Sequence, residues 1–213
     1  MVEVADLNLT GNMLKKVIEK YDGTTRALYK IKQSLYNLCS ISGISFQRVD
    51  EAALKRGENK TGDRRIKAYS EHYFDEIANQ GHSWVDEKIF LKQSLSDLDI
   101  NGSFIRKYME SEDGKKFFYW QKSDKRISSM RMYENEKNTL KNLLRLKNKY
   151  KPLENIDIKK AIENAEDILG FKYTDEQKQA VKEALKHGVF VLNGKGGVGK
   201  SAVIKCIVEV LNT

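Results

Sequence analysis

The chain is poor in the residues that cross-link, bind metal or break secondary structure. It has two cysteines, Cys39 and Cys206, three histidines and one proline, Pro152, among 213 residues. The cysteines lie too far apart in sequence to suggest a disulfide framework or a metal site, and they read as two reduced core thiols. The histidines supply neither a Cys/His metal cluster nor a Ser/His/Asp nucleophile arrangement. His82, beside glycine and close to Trp84, reads as a structural residue rather than a base. Long hydrophobic runs are also missing: Val189-Phe190-Val191-Leu192 falls far short of the ~20 residues a membrane span requires. The opening Met1-Val2-Glu3-Val4-Ala5-Asp6 carries acids where a secretory signal carries positive charge. A disulfide-stapled secreted scaffold and a helical membrane protein are excluded, and a cytoplasmic location is expected. Apolar material is sufficient for real cores, at 40% hydrophobic residues against 32% charged.

Charge is unevenly spread. Residues 1–101 carry 15 Lys/Arg and 15 Asp/Glu and are neutral. Residues 102–150 carry 13 against 6, a net +7, and residues 151–213 carry 10 against 9, a net +1. The basic stretch is either a patch for a polyanion or a lysine-rich solvated surface. If it is a patch, Lys115, Lys116, Lys122, Lys125 and Arg126 are the candidate contacts to a nucleic-acid backbone or an acidic partner.

Three regions follow: a helical region over 1–101, a basic hairpin and helix over 102–150, and a further domain over 151–213, with a boundary near 148–155 at Pro152. Met13, Leu14, Val17 and Ile18 have helical spacing, as do Leu28, Ile31, Leu35 and Leu38. Ile66, Tyr69, Tyr73 and Ile77 share one face of a helix that Gly81 terminates. Ser83 or Asp86 caps the next helix, with Ile89, Phe90 and Leu95 inward. Lys115 to Gln121, holding Phe117-Phe118-Tyr119-Trp120, reads as a strand, with Ile127 to Tyr133 as its antiparallel partner. A helix opening at Glu134 presents Leu140, Leu143, Leu144 and Leu146 as its apolar side.

The third region carries the most specific pattern. Thr174-Asp175-Glu176-Gln177 is a capped helix start, Val189 to Leu192 reads as a buried parallel strand, and Ala202 to Leu211 as an amphipathic helix. Between strand and helix stands Gly194-Lys195-Gly196-Gly197-Val198-Gly199-Lys200-Ser201, which fits G-x-x-x-x-G-K-[ST]. The glycines let backbone N–H groups curl toward phosphate oxygens, and the helix N-terminus adds favourable partial charge. Lys200 is expected to reach the β- and γ-phosphates of ATP, and the Ser201 hydroxyl to ligate Mg²⁺. Together these predict a mainly α N-terminal region with a small β-hairpin, followed by the start of an α/β P-loop domain.

Lys195 to Ser201 also spells the deviant Walker motif of ParA- and MinD-like ATPases, in which a lysine at the position of Lys195 contacts nucleotide across a dimer. Those proteins place the loop near the N-terminus, whereas here roughly 190 residues precede it. The segment Tyr173-Thr174-Asp175-Glu176-Gln177-Lys178-Gln179-Ala180-Val181 resembles the Q-motif of superfamily 1 helicases. Upstream, Leu35-Tyr36-Asn37-Leu38, Ile41-Ser42-Gly43-Ile44-Ser45-Phe46, Asp50, Ala52 and Arg64-Arg65-Ile66-Lys67-Ala68 look like the N-terminal region of RecD-like helicases. Gly81-His82-Ser83-Trp84 is similar to that family's Gly-His-Thr-Tyr stretch, and Met132-Tyr133-Glu134-Asn135-Glu136 to the segment leading into its ATPase domain. Ser45 replaces the second glycine of a helix-hairpin-helix-like Gly-Ile-Gly-Phe, and Gly197-Val198 stands where the family commonly has Gly-Thr.

The resemblance implies an ATP-dependent DNA helicase of the RecD/TraA type, moving 5′ to 3′ along single-stranded DNA, with a partner subunit engaged through the N-terminal region. It implies that Gln177 reads the adenine edge while Gly194 to Ser201 hold the phosphates. The sequence ends at Thr213, just after the first helix of the ATPase domain, so the expectation is an N-terminal helicase fragment that does not turn over alone. The alternatives are a ParA/MinD-like ATPase and a non-enzymatic DNA-binding or docking module.

Overall fold

The computed structural model describes Leu7, residues 9–151 and residues 157–212. Pro152, on which the expected boundary is centred, lies outside the described residues. Two compact units are present, Met1–Glu136 and Lys137–Thr213.

In the first unit the helices are α1 (Gly11–Lys20), α2 (Thr24–Gln33), a 3-10 turn over Leu35–Ser40, α3 (Phe46–Lys55) and α4 (Asp63–Asn79). They are followed by β1 (Val85–Asp86), α5 (Glu87–Leu98), α6 (Gly102–Glu110), α7 (Glu112–Phe117), β2 (Phe118–Gln121), β3 (Arg126–Ser129) and the start of α8 (Met130–Lys149), which runs on past Glu136 into the second unit. Short polar side chains start most of them. Thr10, Ser45, Asp86, Asn101 and Ser111 each accept a backbone N–H of the first turn that follows. Ser45 is therefore a helix cap at φ −77°, a conformation that makes no demand for glycine.

Helix α4 buries the predicted face, Ile66, Tyr69, Tyr73 and Ile77, and adds Phe74. Gly81, at φ +89°, ends it: its N–H reaches Ala78 O, and the His82 N–H reaches Ile77 O at 2.9 Å. Phe74 and Phe90 stack at 5.4 Å, and Phe118 meets both edge-on at 6.1 and 5.9 Å. Within this core lies a paired charge. Arg65 donates to both Asp50 oxygens at 2.8 Å, and to the carbonyls of Lys60 and Leu98 at 2.8 and 2.9 Å. The Tyr36 hydroxyl donates to Asp50 at 2.7 Å, and burial together with that carboxylate raises its pKa. The buried charges are thus answered by partners, which is what makes such burial tolerable.

The strands form an antiparallel sheet in the order β1-β3-β2, with Val85↔Ile127 and Trp120↔Ile127 in register. Several expectations need correction. The aromatic run is only half strand, because Ser111 caps α7 and carries helix through Phe117. Gly114 makes this possible: any side chain there would run into the backbone of Tyr108. The partner strand stops at Ser129, whose hydroxyl accepts the Met132 N–H at 3.3 Å and starts α8 at Met130 rather than Glu134. The expected helix through Leu28 and Leu38 breaks at Ser34, which is extended at φ −164°, so Leu35 and Leu38 enter the core from the 3-10 turn. On α5, Phe90 faces inward as expected, but Ile89 and Leu95 are exposed, and Leu91, Ser94 and Leu98 face inward in their place.

The second unit holds α9 (Ile158–Leu169), α10 (Asp175–Ala184) and α11 (Lys200–Asn212) around Ile162, Ala165, Tyr173, Val181, Leu185, Val203, Cys206 and Val210. Leu140, Leu143, Leu144 and Leu146, the expected apolar side of α8, are exposed. Val189–Leu192 is irregular rather than a strand, and no strand stands beside it among the described residues. An unpaired extended segment gains no ladder hydrogen bonds, so its apolar side chains alone do not hold it as β structure. A P-loop α/β sheet is accordingly not evident among the described residues. Both cysteines are free thiols; Cys206 is fully buried, and burial pushes the Cys39 pKa up to about 12. No helix among the described residues is long and apolar enough to cross a membrane.

Candidate functional site

The glycine-rich loop is tied to the start of α10. Thr174 and Gln177 form a reciprocal cap: the Gln177 N–H donates to the Thr174 hydroxyl at 3.3 Å, and the Thr174 N–H to the Gln177 side-chain oxygen at 3.0 Å. The side-chain nitrogen of Gln177 then donates to Val198 O at 3.3 Å, inside the loop. Gly199, at φ +84°, lies so close beneath this amide that a side chain would collide with it. Four residues before Gln177, the Tyr173 hydroxyl donates to Ala202 O at 3.0 Å, and burial pushes its pKa up to about 12.

Glu166 anchors the same turn. This carboxylate is 3% exposed and accepts from Lys178 at 2.8 Å, from the Tyr173 N–H at 2.9 Å and from Lys172 at 3.1 Å. The Lys178 hydrogen bond first, then that of the Tyr173 N–H, holds its pKa down at about 2.

The loop closes around its own lysine. Lys200 Nζ donates to Gly194 O and Lys195 O, each at 2.7 Å, while Gly197 at φ +80° and Gly199 supply the left-handed turns this curl requires. Helix α11 begins at Lys200, so its N-terminus and the lysine ammonium stand at the same end, with the Ala202 and Val203 N–H groups donating to Gly199 O at 3.0 and 3.1 Å. Gly194, Lys195, Gly196, Gly197, Val198 and Ser201 are exposed, and Lys200 is half-buried. The structure thus brings Gln177, Gly194 to Gly199 and Lys200 together. Both functional ends of Gln177 are already engaged within the protein, a role that the capping signature alone half reveals.

The five candidate nucleic-acid residues divide. Lys115 and Lys116 lie on α7, paired to Glu112 at 2.9 Å and Asp113 at 3.1 Å. Lys122 and Lys125 lie on the β2–β3 turn, with Arg126 opening β3. Lys122 sits 3.6 Å from Glu110 and 4.3 Å above Trp120, and the Arg126 guanidinium 4.1 Å above the ring of Trp84. The Trp84–Arg126 pair is invisible to sequence spacing, because the two residues lie far apart in the chain and only strand pairing brings them together. His82 is exposed, and no group of acidic, His or Cys side chains suited to a metal occurs among the described residues.

Residues 1–84, from the chain start through α4 to Trp84, match the family model described as the ATP-dependent RecD2 DNA helicase HHH domain.

Proposed function

We propose that this chain acts as part of a RecD-like, ATP-dependent DNA helicase, with residues 1–84 as a DNA-binding region and Gly194–Ser201 as the seat of ATP. The observation that carries the reading is the match of residues 1–84 to a helicase domain model. The loop geometry supports the nucleotide half. Lys200 sits at the centre of a curl of backbone, held by carbonyl oxygens that a phosphate oxygen can replace. Gly194, Lys195, Gly196, Gly197, Val198 and Gly199 would present N–H groups to the phosphates, Lys200 would neutralise the β- and γ-oxygens, and the Ser201 hydroxyl would ligate Mg²⁺. When bound, Mg²⁺ adds charge neutralisation between those phosphates. Gln177, stationed over the loop, would turn its side-chain amide from Val198 O to the adenine edge. In the helicase as a whole the work driven by this site is 5′ to 3′ movement on single-stranded DNA.

Titration of the chain with a fluorescent ATP analogue, with and without Mg²⁺, tests the nucleotide half. Saturable binding that strengthens with Mg²⁺ and weakens about tenfold or more in Lys200→Ala is expected. Binding unchanged in Lys200→Ala sinks this assignment of the loop. DNA binding by the same chain tests the other half separately.

A further inference from the structure

We infer that the outward face of the three-stranded sheet is a stacking platform for unpaired nucleobases; this rests on the DNA-directed reading above and extends it from Trp84, the last residue of the helicase-like match, to the strands that follow it. Alternate strand residues share a face. Val85, Ile127 and Trp120 form one row across the sheet, and Ile127 is wholly buried, so this row faces the core. The next residues along each strand face the other way. They include the exposed Arg126 with half-buried Gln121, paired in register, and half-buried Tyr119, paired with Ser128, which is itself covered. Continuing the Val85↔Ile127 register sets Trp84 beside Ser128, whose hydroxyl donates to the neighbouring Ser83 O at 2.5 Å.

Two flat aromatic groups therefore stand on one face. Trp84 is 45% exposed and carries the Arg126 guanidinium against its ring, and Tyr119 is stacked on Tyr133 with centroids 3.6 Å apart and planes within 4°. Trp84 also walls an open cleft of about 370 Å³ with His82, Asp86 and Ile89, the last of them 58% exposed. Trp120 shows the contrast. It lies on the inward row, and its indole N–H donates to Glu87 at 3.2 Å, as a structural tryptophan's does.

Outward rings with an arginine plane, beside the turn that carries Lys125 in the stretch of net +7 (13 Lys/Arg against 6 Asp/Glu over residues 102–150), match single-stranded nucleic acid in both its parts. Bases stack on the aromatic groups and phosphates meet the cations. A duplex has its bases already stacked and offers the rings nothing.

The test uses the full chain, an oligothymidylate of about 12 nucleotides and a blunt duplex of the same length. Trp84→Ala and Tyr119→Ala are each expected to weaken oligothymidylate binding roughly tenfold without changing its salt dependence, because stacking releases no counterions. Trp84→Phe should recover most of the loss. In a Trp120→Phe background, where Trp84 is the remaining indole, the oligonucleotide should quench the fluorescence. A folded Trp84→Ala chain that binds oligothymidylate like the parent overturns the inference. Equal losses on duplex and single strand, or an equal loss for polyglutamate, overturn it too. Duplex binding with no single-strand binding overturns the platform but leaves the helicase relation standing, whereas absence of both removes the DNA reading as well.

Discussion

In the first unit Phe74 and Phe90 are 1% and 0% exposed among aromatic neighbours, while in the second the most apolar run of the chain leaves Val191 82% exposed. Hydrophobic content does not account for the difference; the distance to a partner does. Strands β2 and β3 find each other across a turn of four residues, 122–125, and β1 joins from the segment after α4. An antiparallel hairpin needs no more than that, whereas a parallel strand needs a crossover of a dozen or more residues. Val189–Leu192 has the composition of a strand covered on both faces, yet no strand among the described residues lies alongside. Ile204, Val208 and Leu211 of α11 are also exposed, as a helix is when the sheet it suits is not beneath it.

Hydrogen exchange measures this contrast most directly. Amides of α4 from Ile66 to Ile77 should exchange roughly a thousandfold or more slower than those of Val189–Leu192, which make no backbone hydrogen bond among the described residues. Comparable protection in the two segments would break the comparison.

Asp50→Ala is the next largest perturbation. It strips Arg65 of its buried partner and should cost the first unit about 3–5 kcal/mol. Denaturant unfolding followed by probes in each unit should show that loss in residues up to Glu136, with the second unit's transition unmoved.

On the loop, Lys200→Ala should weaken nucleotide binding about tenfold or more, since it deletes a charge-assisted contact. Lys195→Ala, at an exposed position, should be mild. Equal losses, together with nucleotide-dependent dimerisation, would favour the ParA/MinD-like alternative.

Glu166 gives the second unit a pH signature. Its folded pKa of about 2 lies below the ordinary 4.5, so the folded state prefers the carboxylate, and the resulting stability is present above pH 4.5 and lost as the pH falls toward 2. Glu166→Gln should lower the melting temperature of the second unit at neutral pH and flatten its dependence across that window. The smallest effect belongs to Lys115→Ala and Lys116→Ala: their pairs with Glu112 and Asp113 are exposed and screened by solvent, so neither substitution should move the melting temperature measurably.

What was readable in the residues was local. The α4 face, the stop at Gly81, the reciprocal Thr174–Gln177 cap and the glycine-rich run from Gly194 to Ser201 depend on neighbours a few positions away, and their spacing states them, while the α5 cap was narrowed to Ser83 or Asp86, of which the fold uses Asp86. The errors arose where two local preferences competed. Ser111 and Gly114 drew Phe117 into a helix despite its strand preference, and Ser129 started α8 early. Spacing also could not choose between faces on α5, where Ile89 and Leu95 compete with Leu91 and Leu98 until packing buries the latter two beside Phe90.

The sequence by itself determined the helix caps and stops, the basic excess over 102–150 and the spacing of the glycine-rich loop, because each follows from residue type at short range. Tertiary structure alone decided that Asp50 and Arg65 neutralise one another in the core, that Trp84 meets Arg126, that Gln177 leans on Val198, and that no strand among the described residues joins Val189–Leu192. Those outcomes depend on groups distant in the chain, and only the closed fold sets their separations.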